Sequence, residues 1–175
     1  YVYSDNDFIF LGKIVEQISG MKLDEYVQKT FYRPMGMAST GFKPRERFGK
    51  EKMVPTETEK HFRRQTTQGD VHDEGASMFG GVAGHAGLFS NAYDLAMLYQ
   101  MLLNGGEFNG NRYLKKETVG LFTAYNSKNS RRGEGFDKPE KDKYMPEKTY
   151  PSSIISSNGL EETGFKETAV LGDPV

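Results

Sequence analysis

The three histidines, His61, His72 and His85, are the side chains best suited to metal binding or proton transfer. Their spacings of eleven and thirteen residues match no helical or hairpin ligand pattern, and there is no cysteine to complete a zinc site. We therefore expect no metal and no other cofactor. His85 lies in a glycine-rich segment, where we expect it to line a pocket edge or hydrogen-bond the backbone rather than act as a general base.

A serine nucleophile with a lysine three residues later would support acyl-enzyme chemistry, because the lysine lies one helical turn from the hydroxyl. The string Ser19-Gly20-Met21-Lys22 has this spacing. However, Ser19 falls at the C-terminal end of a predicted helix, where backbone carbonyls and the negative end of the dipole disfavour an alkoxide. We therefore reject Ser19 as a nucleophile. No Gly-x-Ser-x-Gly elbow is present either, since Gly75-Ala76-Ser77-Met78-Phe79 lacks the final glycine.

Helical periodicity predicts two helices near the start of the chain. The first covers residues 4–20, with Ser4 or Asp5 as N-cap and Gly20 at its end, and should bury one face. Its apolar residues recur at spacings of three and four: Phe8, Leu11, Ile14, Val15 and Ile18. The second helix runs from about Leu23 to Phe31, before residues 33–36 break it.

Beyond residue 40 the pattern alternates between loops and regular elements. We predict an extended surface excursion with short strands over 41–69, and then a tightly turning backbone over 75–87, where five of thirteen residues are glycine. His72 and Asp73 lie just before this segment in a structural turn. Further helices are predicted from Ser90 or Asn91 to Asn104, with core leucines and methionines over 95–103, and over 115–123. The apolar residues expected to be buried in the last helix are Leu114, Val119, Leu121 and Phe122. Strands are predicted over 132–136 and 163–171.

The composition indicates one domain and excludes several classes of function. The chain has 175 residues, of which 36% are hydrophobic, and a formal net charge of −1. This apolar content suffices for one core, and a near-neutral charge offers no field to gather nucleic acid or anionic lipid. No apolar run is long enough for a membrane span. We therefore predict a single, partial domain over 1–175 that binds no nucleic acid.

Three motifs in order resemble the serine β-lactamase and penicillin-binding-protein family, closest to its class-C-like and esterase branch. Tyr3-Ser4-Asp5 resembles the Tyr-x-Asn element of that branch, and the run from Gly80 to Ser90 resembles its glycine-rich entry to a long helix. Glu162-Thr163-Gly164 lies where the Lys-Thr-Gly or His-Thr-Gly strand motif is expected. The resemblance covers almost the whole chain. It implies an α+β fold of the β-lactamase/transpeptidase type, here mostly the helical subdomain with one or a few strands of the antiparallel sheet.

The resemblance implies a role for each matching residue. Tyr3 matches the phenol that shuttles protons, and Asp5 either holds the substrate amide or only faces the helix dipole. The segment Glu162, Thr163 and Gly164 matches the strand beside the oxyanion. Glu162 departs from the pattern, because a carboxylate there repels a forming oxyanion. Either the strand is shifted, so that Lys166 restores the positive charge, or this copy is catalytically impaired.

Two functions follow from the resemblance. In the first, the chain is part of a serine hydrolase that acts on a β-lactam, a cell-wall peptide or an ester. In the second, it is a catalytically degenerate domain that serves as a binding or accessory module. The Ser-x-x-Lys segment is expected upstream of Tyr1 or on a partner chain that completes the fold, so this chain alone is expected to be inactive. The family also implies an exported or periplasmic protein.

Overall fold

The first helix forms where the apolar periodicity predicts it. The computed structural model describes residues 4–61, 63–125, 133–134 and 136, and in it helix α1 spans Asp5–Ser19. Ser4 takes the N-cap position, and Gly20 ends the helix in the left-handed conformation, at φ 68°. Because a residue with a Cβ is strained in that conformation, glycine suits this end. The predicted bounds are confirmed.

The prediction that α1 buries one apolar face is wrong for most of that face. Leu11 is 53% exposed, Ile14 48% and Ile18 82%. The buried residue of α1 is Gly12 instead. The spacing of apolar residues predicts which side of a helix is apolar, but it does not identify the segment that covers it.

Helical structure continues past the point where proline was expected to end it. Helix α2 spans Leu23–Val27, a π-helical turn covers Gln28–Tyr32, and a short helix α3 covers Arg33–Met35 before Gly36 ends it. Proline lacks the N–H of a regular helical hydrogen bond, but it is tolerated in a first turn, which is where Pro34 lies. The helix break predicted at residues 33–36 is therefore confirmed only at Gly36, where α3 ends.

The stretch over 41–69 consists of loops with short elements, as predicted. Two 3-10 turns, Pro44–Glu46 and Lys50–Lys52, precede an antiparallel pair of strands, β1 (Pro55–Thr58) and β2 (Thr66–Gln68). The register pairs Thr58 with Thr66. The glycine-rich stretch begins differently from the prediction, because a short helix α4 covers Glu74–Met78 before the backbone turns.

The later elements are helix α5 (Ala92–Leu103), the hairpin strands β3 (Glu107–Phe108) and β4 (Asn111–Arg112), and helix α6 (Lys116–Thr123). Both helices are confirmed, whereas the hairpin was not predicted. Asn109 and Gly110, which connect its strands, have φ values of 48° and 74°. Positive φ at both central residues is the requirement of a two-residue hairpin turn, which Asn-Gly meets.

The chain divides into two compact units, one spanning Val2–Asp94 and the other beginning at Leu95. The core of the first includes Met35, Met37, Val71, Ala76 and Ala83. The side chains buried in the second are Met101, Leu103, Val119 and Thr123.

The buried side chains of the second unit differ in part from the prediction. Leu95, which was expected in the core, is 37% exposed, and Leu121 and Phe122 are also exposed. Val119 and Thr123 are four residues apart and take the buried side of α6. With α-helices and short antiparallel strands, the described part of the chain has the α+β architecture that was predicted.

The two strands predicted near the C-terminus have different outcomes. Over 132–136, the described residues Gly133, Glu134 and Phe136 are not in a strand, although the amide of Gly133 donates to the carbonyl of Phe136. The strand predicted over 163–171 lies outside the described residues. Across the described part of the chain, every helix is too short or too polar to cross a bilayer.

Candidate functional site

A carboxylate and an imidazole meet where the glycine-rich segment returns to helix α4. The side chain of Asp73, the N-cap of α4, accepts a hydrogen bond from the amide of Ala76 at 2.6 Å. The same oxygen, Oδ1, lies 2.9 Å from Nε2 of His85. His72 and Asp73 were predicted to form a structural turn, and Asp73 also orients a histidine.

The protonation of Asp73 determines which nitrogen of His85 carries hydrogen. The hydrogen bond from the Ala76 amide and then that from the His85 ring lower the pKa of the Asp73 carboxyl. An ionised carboxylate can only accept, so Nε2 of His85 must donate to it. In the neutral ring Nδ1 is then an acceptor. Nδ1 is buried and has no hydrogen-bond partner among the described residues.

His85 belongs to the wall of an apolar cleft in the first unit. The cleft has a volume of about 330 Å³. Helix α1 contributes Phe8, Leu11 and Val15, and the loops contribute Phe42 and Leu88. The side chain of His85 is only 4% exposed, whereas that of Asp73 is 34% exposed. A few oriented polar atoms among apolar walls are typical of sites for small molecules.

Close backbone contact holds the glycine-rich segment against helix α1. A Cβ added at Gly84 would clash with the carbonyl oxygen of Phe8, and one added at Gly12 would lie 3.3 Å from the amide nitrogen of Gly84. Neither position has room for a larger residue without movement of the backbone. The two glycines therefore fix the distance between α1 and the segment that carries His85.

A second polar cluster in the same unit involves the start of α5. Asp94 is 3% exposed and accepts hydrogen bonds from the amide of Ser39 at 2.9 Å and the hydroxyl of Thr40 at 2.8 Å. The Thr40 and Ser90 hydroxyls are 2.7 Å apart. Asn91 caps the helix by accepting from the Asp94 amide at 2.8 Å, so Asn91 is the capping residue of the predicted pair.

Most of the residues matched to the family motifs lie outside the part of the chain that the structure describes. Tyr3, Glu162, Thr163 and Gly164 lie outside the described residues. Asp5 is the first residue of α1 and is half-buried. The structure therefore does not test whether these residues converge. Among the described residues, no group of three or more histidine, aspartate and glutamate side chains is arranged to hold a metal ion.

The surroundings of Ser19 agree with its rejection as a nucleophile. Ser19 is the last residue of α1, and Lys22 is the extended residue before α2, so the two side chains do not share a helical turn. The hydroxyl oxygen of Ser19 accepts a hydrogen bond from the Met21 amide at 3.2 Å. Ser19 thus forms part of the turn between the helices.

The sequence interpretation did not assign Asp73 a role toward His85. The signal available was local, because an aspartate followed by Glu74 and small residues is a typical N-cap. The contact with His85 spans twelve residues and depends on how the glycines turn. No local pattern predicts such a contact.

Comparisons with known proteins connect the chain to one family. The family profile described as Beta-lactamase matches residues 1–170. An Escherichia coli (strain K12) protein named "Putative D-alanyl-D-alanine carboxypeptidase" is 37% identical over 187 residues, covering 100% of this chain and 42% of that protein. A protein of the same name from Salmonella schwarzengrund (strain CVM19633) is 40% identical, covering 100% of this chain and 43% of that protein. The chain thus spans less than half the length of these relatives.

A solved structure also matches part of the chain. It is the octameric penicillin-binding protein homologue from Pyrococcus abyssi, which superposes with a TM-score of 0.47 at 20% identity. The match covers 71% of this chain and 25% of that one.

Proposed function

The chain belongs to the β-lactamase family, and from this premise we propose that it is part of a serine hydrolase that opens an amide or ester bond through an acyl-enzyme. The observation that carries the proposal is the family match over residues 1–170, which includes both Tyr3 and Thr163. The names of the relatives support a substrate that ends in D-alanyl-D-alanine, or a β-lactam or ester of similar shape. The chain contributes part of a single domain in this proposal.

Tyr3 is the proton-transfer group of the proposed mechanism. A phenol has an ordinary pKa of about 10, so it needs nearby cations or a shared proton to act near neutral pH. Asp5 lies two residues later at the start of α1, where it either holds the substrate amide or interacts with the helix dipole. In this proposal, Thr163 and Gly164 match the strand motif beside the developing oxyanion, and His85 is a residue of the pocket edge.

The exposed apolar face of α1 supports completion by further protein. Leu11, Ile14 and Ile18 are each about half or more exposed, although their spacing is that of a core-facing helix. Exposed apolar patches of this kind mark surfaces that other segments cover. An additional segment or a partner chain that carries the Ser-x-x-Lys motif therefore completes the fold. By the same family inference, the protein is exported or periplasmic, which cell fractionation tests.

The experiment is covalent labelling of the complete protein with a fluorophosphonate probe. Tyr3→Phe is expected to lower the labelling rate by about 10² to 10⁴, the range of a lost general acid or base. Tyr1→Phe removes the same hydroxyl two residues away and is the matched control. Equal labelling rates for the two variants would remove Tyr3 from the mechanism.

Glu162 favours a second candidate function, a catalytically degenerate domain that binds cell-wall peptides. A carboxylate in the place of a cation destabilises the oxyanion, so such a domain retains the pocket without turnover. A folded complete protein that binds a D-alanyl-D-alanine peptide but takes no label would favour this candidate. If Glu162→Lys then restores labelling, the loss of activity is assigned to this residue.

A further inference from the structure

We propose that Asn109, in the turn of the β3–β4 hairpin, is a site of spontaneous deamidation, and that the second unit thereby acquires aspartate and isoaspartate at this position. This modification is separate from the proposed hydrolysis and does not depend on it. The proposal rests on the contrast between two Asn-Gly pairs in the second unit, Asn104-Gly105 and Asn109-Gly110. A third pair, Asn158-Gly159, lies outside the described residues.

The reaction needs water and no other reagent. The backbone nitrogen of Gly110 loses its proton to solvent base and attacks Cγ of the Asn109 side chain. The side-chain nitrogen takes up a proton and leaves as ammonia, so that a five-membered succinimide ring remains. Water then adds to one of the two ring carbonyls and opens the ring to aspartate or isoaspartate. In sum, an amide and water become a carboxylic acid and ammonia.

The amide of Gly110 is available as the attacking group. Asn109 and Gly110 are both exposed, and among the described residues none accepts a hydrogen bond from the Gly110 amide. The backbone carbonyl oxygen of Asn109 accepts a hydrogen bond from the side-chain amide of Asn111 at 3.3 Å. Because this contact polarises the peptide group that Asn109 shares with Gly110, it makes the Gly110 N–H more acidic.

The turn can reach the conformation of the ring while its strands stay paired. The φ values of 48° at Asn109 and 74° at Gly110 are those of a type I′ turn. Rotation of the one peptide group between them gives a type II′ turn, in which Asn109 keeps a positive φ and takes a ψ of roughly −120°. A succinimide ring requires a ψ of that sign and size, because it brings the next nitrogen onto the side of Cβ. Glycine accepts either sign of φ, and both turn types close a two-residue hairpin, so the Phe108–Asn111 pairing is kept.

The Asn104-Gly105 pair lacks this freedom, although the two residue types are the same. It ends helix α5, where the amide of Gly105 donates to the carbonyl of Leu102 at 2.9 Å. The side-chain oxygen of Asn104 accepts a hydrogen bond from the side chain of Gln100 at 3.0 Å, and Gly105 is buried. Attack by the Gly105 nitrogen must first break its hydrogen bond and turn the Asn104 side chain. The structure therefore protects Asn104 and leaves Asn109 reactive.

The test incubates the complete, folded protein at mildly alkaline pH and follows each Asn-Gly pair by peptide mapping with mass spectrometry. Fragmentation that cleaves the backbone of isoaspartate differently from that of aspartate identifies both products. Asn109 is expected to convert at least about tenfold faster than Asn104, the effect of a backbone hydrogen bond that only the Asn104 pair must break. In guanidinium chloride, where neither pair is folded, the two rates should become similar.

Three results would overturn the proposal. They are equal rates for the two pairs in the folded protein, conversion of Asn109 only after unfolding, and a ratio of rates that is the same in folded and unfolded protein. The last would assign the difference to neighbouring residues rather than to the structure. Substrate hydrolysis enters none of these measurements, so any of these results would leave the proposed function standing.

Discussion

Asp94 and Asp73 both lie at the start of a helix in the first unit, and they differ in whether their polar networks are complete. Asp94 is buried with Thr40 and accepts from a hydroxyl and a backbone amide, all within the protein. Asp73 accepts from a backbone amide and from His85, whose second nitrogen has no partner among the described residues. A complete network holds elements together. The Asp73 contact instead orients a histidine ring that lines a cleft.

The largest effect is expected from Asp94→Ala. The substitution removes the acceptor shared by the buried Thr40 hydroxyl and the part-buried Ser39 amide, so the free energy of unfolding should fall by about 3 kcal/mol. Urea unfolding monitored by circular dichroism measures it. Asp70→Ala removes an exposed partner of Arg45 and should cost less than about 1 kcal/mol. Similar losses in the two variants would show that the Asp94 network does not stabilise the fold.

Gly84→Ala tests the packing that positions His85. Its Cβ would clash with the carbonyl oxygen of Phe8, so the free energy of unfolding should fall by about 1–3 kcal/mol. Gly120→Ala is the matched control, because Gly120 lies in α6 with nothing within 4 Å of an added Cβ. That change should stabilise the protein by about 0.5–1 kcal/mol. If both variants change stability in the same direction, the close contact at Gly84 is absent in solution.

A smaller effect on the free energy of unfolding is expected when the carboxyl group of Asp73 is protonated at low pH. Its pKa is lowered in the folded state, mainly by the Ala76 amide and then by His85. A lowered pKa gives stability that is present above the unfolded pKa, about 3.9, and is lost as pH falls through the folded value. The stability difference between the wild type and Asp73→Asn should therefore shrink as pH is lowered below about 4. A difference that is constant with pH would contradict the hydrogen bonding described for Asp73.

The smallest effect is expected from His72→Gln. The His72 ring contacts Glu57 at 2.9 Å, but it is 66% exposed. Because His72 is mostly exposed and glutamine keeps a donor for Glu57, the free energy of unfolding should change by less than about 0.5 kcal/mol. If His72→Gln lowered the free energy of unfolding as much as Asp94→Ala does, solvent exposure would not predict which polar contacts stabilise this protein.

Local sequence patterns predicted the longer helices well. The spacing of apolar residues and Gly20 as the C-cap predicted α1, and a polar N-cap followed by leucines predicted α5. The Asn109-Gly110 hairpin also had a local signal, but its two-residue strands are too short to show alternation. The continuation of helix through Pro34 depended on a π-helical turn, which apolar periodicity does not reveal.

Local sequence patterns could not predict the contacts between distant segments of the chain. The Thr40–Asp94 and Asp73–His85 contacts join residues 54 and 12 positions apart, and each depends on how a loop returns to a helix. The exposed side of α1 was mispredicted for a related reason, because periodicity gives an apolar face without its covering segment. The motif residues Tyr3 and Glu162–Gly164 came from family resemblance, and their convergence remains a prediction.

Intact-mass spectrometry of the complete protein after exposure to a penicillin tests the hydrolase proposal most directly. Opening the β-lactam ring leaves the whole drug on the serine, so the account predicts an adduct of the full antibiotic mass that is lost slowly as the ester hydrolyses. A folded protein that never gains this mass, with penicillin or with an activated ester, would contradict the proposal that this chain is part of a serine hydrolase.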